Sequence, residues 1–208
     1  MTDAVSSTPL VVVISAPSGA GKTTLCDNIR ASIPNISNAV TCTTRKPRDG
    51  ELDGVDYYFL GEDEFRGRVA DGEFLENAVV HGNHYGVLKS ELRAKLAEGS
   101  DVLLNIDVQG AATIREAAGN DLVLKEALLT VFLCPVSLDE LEQRLRGRGT
   151  DSDEIIAKRL AIARDEMDHA EKFDHMLTSE TREADLEQML GIIERARLAK
   201  RKNVSTDE

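Results

Sequence analysis

Residues 16–24, A-P-S-G-A-G-K-T-T, have the types and spacing that bind the phosphates of a nucleotide. They match the phosphate-loop pattern G-x-x-x-x-G-K-[ST] except at its first position, where Ala16 replaces glycine. The two glycines allow successive backbone N–H groups to turn toward an anion. Lys22 brings a positive charge to the outer phosphates, and the Thr23 hydroxyl can ligate Mg²⁺. The loop therefore predicts a nucleoside triphosphate site.

Buried strands alternating with helices are predicted to hold this loop in place. The apolar run at residues 10–14 shows no polar alternation, which is typical of a strand buried on both faces, and residues 23–33 form a helical pattern after the loop. Further strands are predicted at residues 101–106, 128–133 and 176–178. This order predicts an α/β fold with a parallel sheet, and a ligand at the carboxyl ends of its strands.

Residues 39–88 differ from the rest of the chain because they combine many turn residues with short apolar stretches. Strands are predicted at residues 40–44, 57–60, 74–80 and 85–87, with a helix at residues 62–70. We interpret this stretch as an inserted lobe with its own small sheet. Arg45, Lys46 and Arg48 gather there in an otherwise acidic chain. Two arginines near a tyrosine hydroxyl can bind a phosphate, and the alternative is a solvated basic turn.

The second half of the chain contains further helical patterns. They are expected at residues 88–96, 111–118, 137–146 and 182–200. Ser137 and Glu140 have the spacing of a capping box. Asp151 is expected to cap the helix after residue 149. Its predicted buried stripe consists of Ile155, Ile156, Leu160, Ala163 and Met167.

The bulk composition limits the possible partners and compartment. The 208 residues suffice for one α/β core with small insertions, and the net charge of −12 argues against a general nucleic-acid or anionic-membrane surface. Cys26, Cys42 and Cys134 form no C-x-x-C pair, so a cytoplasmic location is expected, and Cys26 and Cys42 are expected to be buried thiols. The apolar run near the N-terminus is too short for a signal peptide or a membrane span. Monomer and homodimer both remain open.

Several motifs follow the loop in a fixed order, namely T-T-R-K-P-R-x-G-E-x-D-G-x-D-Y-x-F, G-E-F-L-E, G-N-H-Y-G, I-D-V-Q-G and R-L-R-G-R-G-T. Together they resemble the guanylate kinase family over residues 10–178. The resemblance implies a three-layer P-loop fold with a central parallel sheet, an inserted small α+β GMP-binding lobe and a helical lid. The core would comprise residues 1–38 and 89–208, with the lid at about 138–165 and the lobe at 39–88.

The resemblance also implies a reaction, in which ATP phosphorylates GMP, and dGMP as a second acceptor, with Mg²⁺ as cofactor. The catalytic residues it implies are Lys22, Asp107, Arg144, Arg148 and Arg159. The implied ATP contacts are Ala16, Pro17, Ser18, Gly19, Ala20, Gly21, Lys22, Thr23 and Thr24. The implied GMP contacts are Thr41, Arg45, Arg48, Tyr57, Glu76, Tyr85 and Asp107. Glu76 suits guanine because a carboxylate accepts from both N1–H and the 2-amino group, neither of which adenine offers.

Three positions depart from the family pattern. Asn105 replaces an acidic residue, Val87 replaces a Ser or Thr, and Ser179 replaces an Asn near the adenine. We expect these changes to weaken nucleotide affinity without abolishing activity. Two alternatives are a protein-binding scaffold with the same fold and a kinase for a phosphorylated sugar. The retained Lys22 and Arg144 argue against the scaffold, and Glu76 in a guanine-reading lobe argues against the sugar kinase.

Overall fold

The computed structural model describes residues 9–80, 82–147, 149 and 151–204. The strands are β1 (Val11–Ser15), β2 (Ile36–Asn38), β3 (Thr41–Thr43), β4 (Tyr57–Phe59), β5 (Phe74–Val80), β6 (Asn83–Leu88), β7 (Asp101–Asn105), β8 (Leu128–Pro135) and β9 (His175–Ser179). The helices are α1 (Lys22–Ser32), α2 (Glu62–Ala70), α3 (Lys89–Ala97), α4 (Val108–Asn120), α5 (Leu122–Ala127), α6 (Leu138–Gly147), α7 (Asp153–Met167) and α8 (Arg182–Val204). A 3₁₀ turn lies at Ala170–Lys172.

The larger sheet has five parallel strands in the order β2-β7-β1-β8-β9. Every residue of the central strand β1 is buried, as its uninterrupted apolar run predicts. Val12 and Ile14 belong to an apolar cluster with residues of α1, α6, α7 and α8, whereas Val11 and Val13 belong to another with residues of α3, α4 and α5. These three layers confirm the α/β fold class, and α1 follows β1 directly at the phosphate loop.

The smaller sheet has four strands in the order β4-β3-β6-β5. Only β3 and β4 run parallel, and β6 pairs antiparallel with both β3 and β5. Its own apolar cluster is small and comprises Cys42, Phe65, Phe74 and Leu88. Three other residues of this lobe belong to the apolar cluster that contains Val11 and Val13, on one face of the parallel sheet; they are Ala39, Leu75 and Val87. The lobe therefore packs on the core through a shared apolar layer.

Several element predictions were wrong in detail. Strand β2 was not predicted, because only Ile36 of its three residues is buried and so little apolar pattern reaches the sequence. Helix α5 was also missed. Ser152, not Asp151, caps α7, since its Oγ accepts from the Ile155 N–H. Ile155 is 46% exposed, because it lies about 100° around the helix from the buried Ile156 and shares the solvent face with Ile162, which is 45% exposed.

Other predictions were confirmed. Ser137 caps α6 by accepting from the Glu140 N–H at 3.1 Å, and the predicted bounds of α2 agree with Glu62–Ala70. Cys26 and Cys42 are buried free thiols, and burial raises the pKa of Cys26 to about 12. Within the described ranges, no helix combines the length and apolarity that crossing a bilayer requires.

Candidate active site

The phosphate loop connects β1 to α1 and depends on two glycines with left-handed backbone conformations. Gly19 and Gly21 have φ angles of 97° and 98°. Gly21 is also the N-cap of α1, so the positive end of that helix opens onto the loop. A Cβ atom on Gly19 would lie 2.9 Å from Cδ2 of Leu145, so the loop also packs too closely against α6 for a side chain there. Both features fit the anion-binding conformation that the sequence predicts.

A cavity of about 690 Å³ joins this loop to the lobe. Its lining includes Ala16, Pro17, Ser18, Gly19, Gly21, Lys22, Thr23 and Thr24 from the loop, and Thr41, Tyr57, Glu76, Tyr85 and Val87 from the lobe. Asp107, which follows the end of β7, lies between these two groups. The structure therefore brings together most of the residues that the sequence assigns to ATP and GMP.

Lys22 lies at the loop end of the cavity and is half-buried. Its Nζ donates to the backbone carbonyl of Ile106 at 2.8 Å. Burial lowers the pKa of Lys22, and the Asp107 carboxylate is the strongest opposing influence. The ammonium group therefore rests on the strand end that also presents Asp107.

Asp107 and Glu76 form the acidic middle and far end of the cavity. Asp107 caps α4 because its Oδ1 accepts from the Gly110 N–H at 2.8 Å. Glu76 is only 6% exposed, and burial followed by repulsion from Asp107 raises the pKa of Glu76 to about 7, against an opposing hydrogen bond from the Val87 N–H. A Cβ atom on Gly110 would lie 3.2 Å from Glu76 Oε2, so glycine leaves the room that this carboxylate occupies.

Arg45 lies beside the tyrosines of the lobe. Its guanidinium carbon is 5.3 Å from the Tyr57 ring centroid, and the Tyr57 and Tyr85 rings meet edge to face at 6.2 Å. Arg45 Nη2 pairs with Glu51 Oε1 at 2.8 Å, and this bond is the main reason that the pKa of Arg45 is raised. The Arg48 side chain, by contrast, is exposed, and its backbone N–H donates to Glu51 at 2.7 Å.

Arg144 lies on the other side of the phosphate loop, at a second cavity of about 540 Å³. Its Nη1 donates to the Ala20 carbonyl at 3.4 Å and to Ser179 Oγ at 3.3 Å, while Nη2 pairs with Glu140 at 2.6 Å. Ser179 in turn donates to Asp185 at 2.9 Å. The residue at this departure from the family pattern thus supports an arginine of the implied catalytic set.

Of the other implied lid arginines, the structure describes Arg159, which does not line the larger cavity. Arg159 Nη1 lies 3.1 Å from Asp151 Oδ2, within the region implied to be the lid. Arg148 falls outside the residues that the structure describes. In this structure Arg144 pairs with Glu140 and Arg159 with Asp151, and neither arginine lines the larger cavity.

Two departures line the larger cavity. Asn105 ends β7, where its side chain is exposed. Val87 is buried between strands, opposite Thr41 on one side and Glu76 on the other. A hydroxyl at position 87 would therefore face the same part of the cavity as Thr41 and Glu76.

Sequence reasoning assigned no role to Glu166, Ile106 or Gly110. Glu166 lines the cavity from α7, about 140 residues after the loop in sequence, and a glutamate in an amphipathic helix carries no distinguishing signal. The Ile106 carbonyl is a backbone group, which no residue type reveals. Gly110 stands in the I-D-V-Q-G motif just before the helix predicted at residues 111–118, whereas in the structure it lies within α4.

Comparison with known proteins agrees with this geometry. The family model described as guanylate kinase matches residues 8–196. The guanylate kinase of Aromatoleum aromaticum is 43% identical over 188 residues, covering 90% of this chain and 89% of that protein. The guanylate kinase of Hydrogenovibrio crunogenus is 47% identical over 165 residues, covering 79% and 77%. The crystal structure of guanylate kinase from Anaplasma phagocytophilum superposes with a TM-score of 0.68 at 30% identity, covering 92% of this chain and 87% of that one. A phosphate loop, a buried carboxylate in the same cavity and a family match that spans nearly the whole sequence lead to one conclusion: this chain belongs to the guanylate kinase family.

Proposed function

We propose that this guanylate kinase transfers the γ-phosphoryl group of ATP to GMP inside the larger cavity. The observation that carries the proposal is that one continuous cavity has the phosphate loop at one end and the buried Glu76 at the other. Two nucleotides bound from opposite ends would meet with their phosphates near Lys22 and Asp107. Such a transfer needs positioning and charge neutralisation more than covalent catalysis.

At the donor end, the loop amides and the α1 N-terminus would hold the β- and γ-phosphates of ATP. Lys22 would exchange the Ile106 carbonyl for phosphate oxygens, which are stronger partners for an ammonium group. The γ-phosphoryl group would then lie between this ammonium and the acceptor. The lysine thereby neutralises charge that is shared between the leaving and attacking oxygens.

At the acceptor end, Arg45, Tyr57 and Tyr85 would bind the phosphate of GMP, with Arg48 recruited from the surface. Glu76, with Thr41 beside it, would accept from N1–H and the 2-amino group of guanine. Adenine would leave the buried carboxylate without donors, which is costly in such a site. Since Glu76 reads only the base, dGMP would serve as a second acceptor.

Arg144, Arg148 and Arg159 would complete the site when the lid at about residues 138–165 closes. Arg144 and Arg159 would then exchange Glu140 and Asp151 for phosphate oxygens. A guanidinium binds phosphate through paired charge-assisted hydrogen bonds, so this exchange is favourable. Closure would also expel water from around the transferring group.

The residues present fit Mg²⁺ carried by the nucleotide. The Thr23 hydroxyl in the first turn of α1 would ligate the ion, with phosphates and water supplying its other oxygens. Within the described ranges, no cluster of three or more His, Cys, Asp or Glu suits a metal ion. Bound there, Mg²⁺ would neutralise phosphate charge during transfer.

The test is a coupled assay for ADP release with GMP, dGMP, AMP, CMP and UMP as acceptors. We expect turnover with GMP and dGMP and little with the others. The absence of turnover with GMP would overturn the proposal in favour of a protein-binding scaffold. A preference for AMP would overturn the role of Glu76 alone.

The same proposal extends to organisation and location. The core would comprise residues 1–38 and 89–208, the lobe would comprise residues 39–88, and the protein would act in the cytoplasm on free nucleotides. The free cysteines Cys26, Cys42 and Cys134 support a reducing compartment. Cell fractionation would test the location, and light scattering would distinguish a monomer from a homodimer.

A further inference from the structure

The guanidinium of Arg144 is held along its two edges by different parts of the molecule. Its Nη1 carries two N–H groups and has two acceptors, the Ala20 carbonyl of the phosphate loop at 3.4 Å and Ser179 Oγ at 3.3 Å. Its Nη2 pairs at 2.6 Å with Glu140, one turn earlier on α6. One edge of the guanidinium therefore rests on the core, and the other rests on its own helix.

The Ser179 hydroxyl can accept from Arg144 because its own hydrogen is donated elsewhere. A hydroxyl has a single hydrogen, and that of Ser179 is donated to Asp185 Oδ2 at 2.9 Å. The other oxygen of this carboxylate, Oδ1, accepts from the Glu180 N–H at 2.8 Å. Asp185 therefore fixes the direction of the Ser179 O–H bond and leaves the lone pairs of that oxygen for the arginine.

Helix capping does not explain why Asp185 is buried. Asp185 lies in the first turn of α8 and is only 8% exposed. Thr181 is the residue that caps this helix, since its Oγ1 accepts from the Ala184 N–H at 3.2 Å. A buried carboxylate destabilises a protein unless hydrogen bonds offset the cost of removing it from water. The bonds that offset this cost for Asp185 include the one to Ser179, which links it to Arg144.

We propose that Asp185 is a positioning residue for phosphoryl transfer, which acts through the Ser179 hydroxyl to hold the Nη1 edge of Arg144 beside the phosphate loop. The inference rests on the proposed function, in which Arg144 binds phosphate oxygens. The Glu140 pair on the Nη2 edge is partly exposed, so phosphate oxygens can replace it while Nη1 keeps its partners. Asp185 thereby keeps the arginine aligned while one edge changes partner.

The test is a double-mutant cycle between Asp185 and Arg144. Asp185→Asn keeps the size of the side chain, but its amide offers one acceptor and one donor where Ser179 and Glu180 both need acceptors. Arg144→Met removes the group on which Asp185 is proposed to act. Glu183→Gln is the matched control, since Glu183 is an exposed acid in the same turn of α8.

The coupled assay gives kcat and the KM of GMP, and calorimetry gives the Kd of ATP, for the parent protein, each single variant and the double variant. We expect Asp185→Asn to lower kcat about ten-fold and to raise the Kd of ATP about three-fold, with the KM of GMP unchanged. In the Arg144→Met background, the same substitution should change neither kcat nor the Kd of ATP. Ser179→Ala should reproduce the effects of Asp185→Asn, and Glu183→Gln should match the parent protein.

Losses of the same size with and without Arg144 would show that Asp185 acts on another group or on the fold in general, and would overturn the proposal. An unchanged Kd of ATP in Asp185→Asn would overturn it too. Thermal unfolding of each protein identifies a variant that does not fold; if this is Asp185→Asn, the same cycle is measured with Ser179→Ala. ATP binding requires no acceptor, so an absence of turnover with GMP would overturn the proposed function and leave the Kd cycle to decide this inference.

Discussion

The two walls of the larger cavity are stabilised in different ways. The parallel sheet is covered on both faces by large apolar clusters. The phosphate loop follows β1, which is fully buried, and Asp107 follows β7, which is buried except at Asn105. The lobe has an apolar cluster of four buried residues. Its loops are held by carboxylates that accept backbone N–H groups, as Asp53 does from Phe59, Asp56 from Leu52 and Glu51 from Arg48.

From this difference we infer how much each wall of the cavity changes when its substrate binds. Burial of many apolar groups fixes the donor wall, and small changes in surface charge leave it in place. Exposed polar contacts such as those of the lobe loops contribute little each, so a ligand can replace them. We therefore expect the donor wall to be set before binding and the acceptor wall to be completed by GMP. Four predictions test this contrast.

The largest effect is expected at the donor wall. Lys22→Met should lower kcat/KM about 10³-fold, because it removes the positive charge at the transferring phosphoryl group. The measurement is the coupled ADP assay with saturating GMP. Lys125→Met is the control, since Lys125 is exposed on α5. A loss of only a few-fold in the Lys22 variant would place the catalytic charge elsewhere.

At the acceptor wall we expect a pH dependence from Glu76. Its pKa of about 7 means that the carboxyl becomes protonated as the pH falls from 8 to 6. The protonated acid accepts poorly from guanine, so the Kd of GMP should rise about ten-fold over this range. Glu76→Gln should weaken GMP about ten-fold at pH 8 and flatten this dependence. Calorimetry across the range checks both, and the dependence that remains in the Gln variant reports the titration of GMP itself. An unaltered pH dependence in that variant would falsify the assignment.

The junction between the walls offers a matched glycine pair on α4. Gly110→Ala should raise the KM of GMP about five-fold, because its Cβ would lie 3.2 Å from Glu76 Oε2 and displace that carboxylate. Gly119→Ala meets no atom within 4 Å and should instead stabilise the helix by about 0.5–1 kcal/mol. Steady-state kinetics and thermal unfolding would distinguish them. Equal behaviour of the two variants would contradict the close approach at Gly110.

The smallest effects are expected where the chain departs from its family. Val87→Thr should lower the KM of GMP about two-fold by adding a hydroxyl beside Thr41 and Glu76. The same change should lower the melting temperature of the free protein, because the buried hydroxyl lacks a partner until GMP binds. Asn105→Asp should lower the Mg²⁺ concentration for half-maximal rate about two-fold. If neither variant changed KM or kcat, the residues at these two positions would not affect substrate binding or catalysis.

The phosphate loop was predictable because its conformation is local. The conformational freedom of Gly19 and Gly21 sets the backbone, and the residue types alone indicate where N–H groups turn. The buried strand before it was predictable for a similar reason, since an uninterrupted apolar run reports burial on both faces.

Contacts between distant segments were not predictable in this way. Glu166 lines the cavity only because α7 packs beside the phosphate loop, and its type and spacing resemble those of any exposed glutamate. Ile155 was misplaced since Ile155 and Ile156 are both apolar, and the sequence alone does not show which of two adjacent isoleucines faces the core. The buried position of Glu76 likewise depends on the lobe folding over α4.

The apolar layer that joins the lobe to the core limits how this protein can be recombined. Ala39, Leu75 and Val87 pack in the same cluster as Leu104 and Ile114, beneath the parallel sheet. A chimaera that exchanged residues 39–88 for the lobe of another kinase would leave these core residues facing a foreign surface. A successful transplant must therefore carry α4 with the lobe, so acceptor specificity and this part of the core have to be exchanged together.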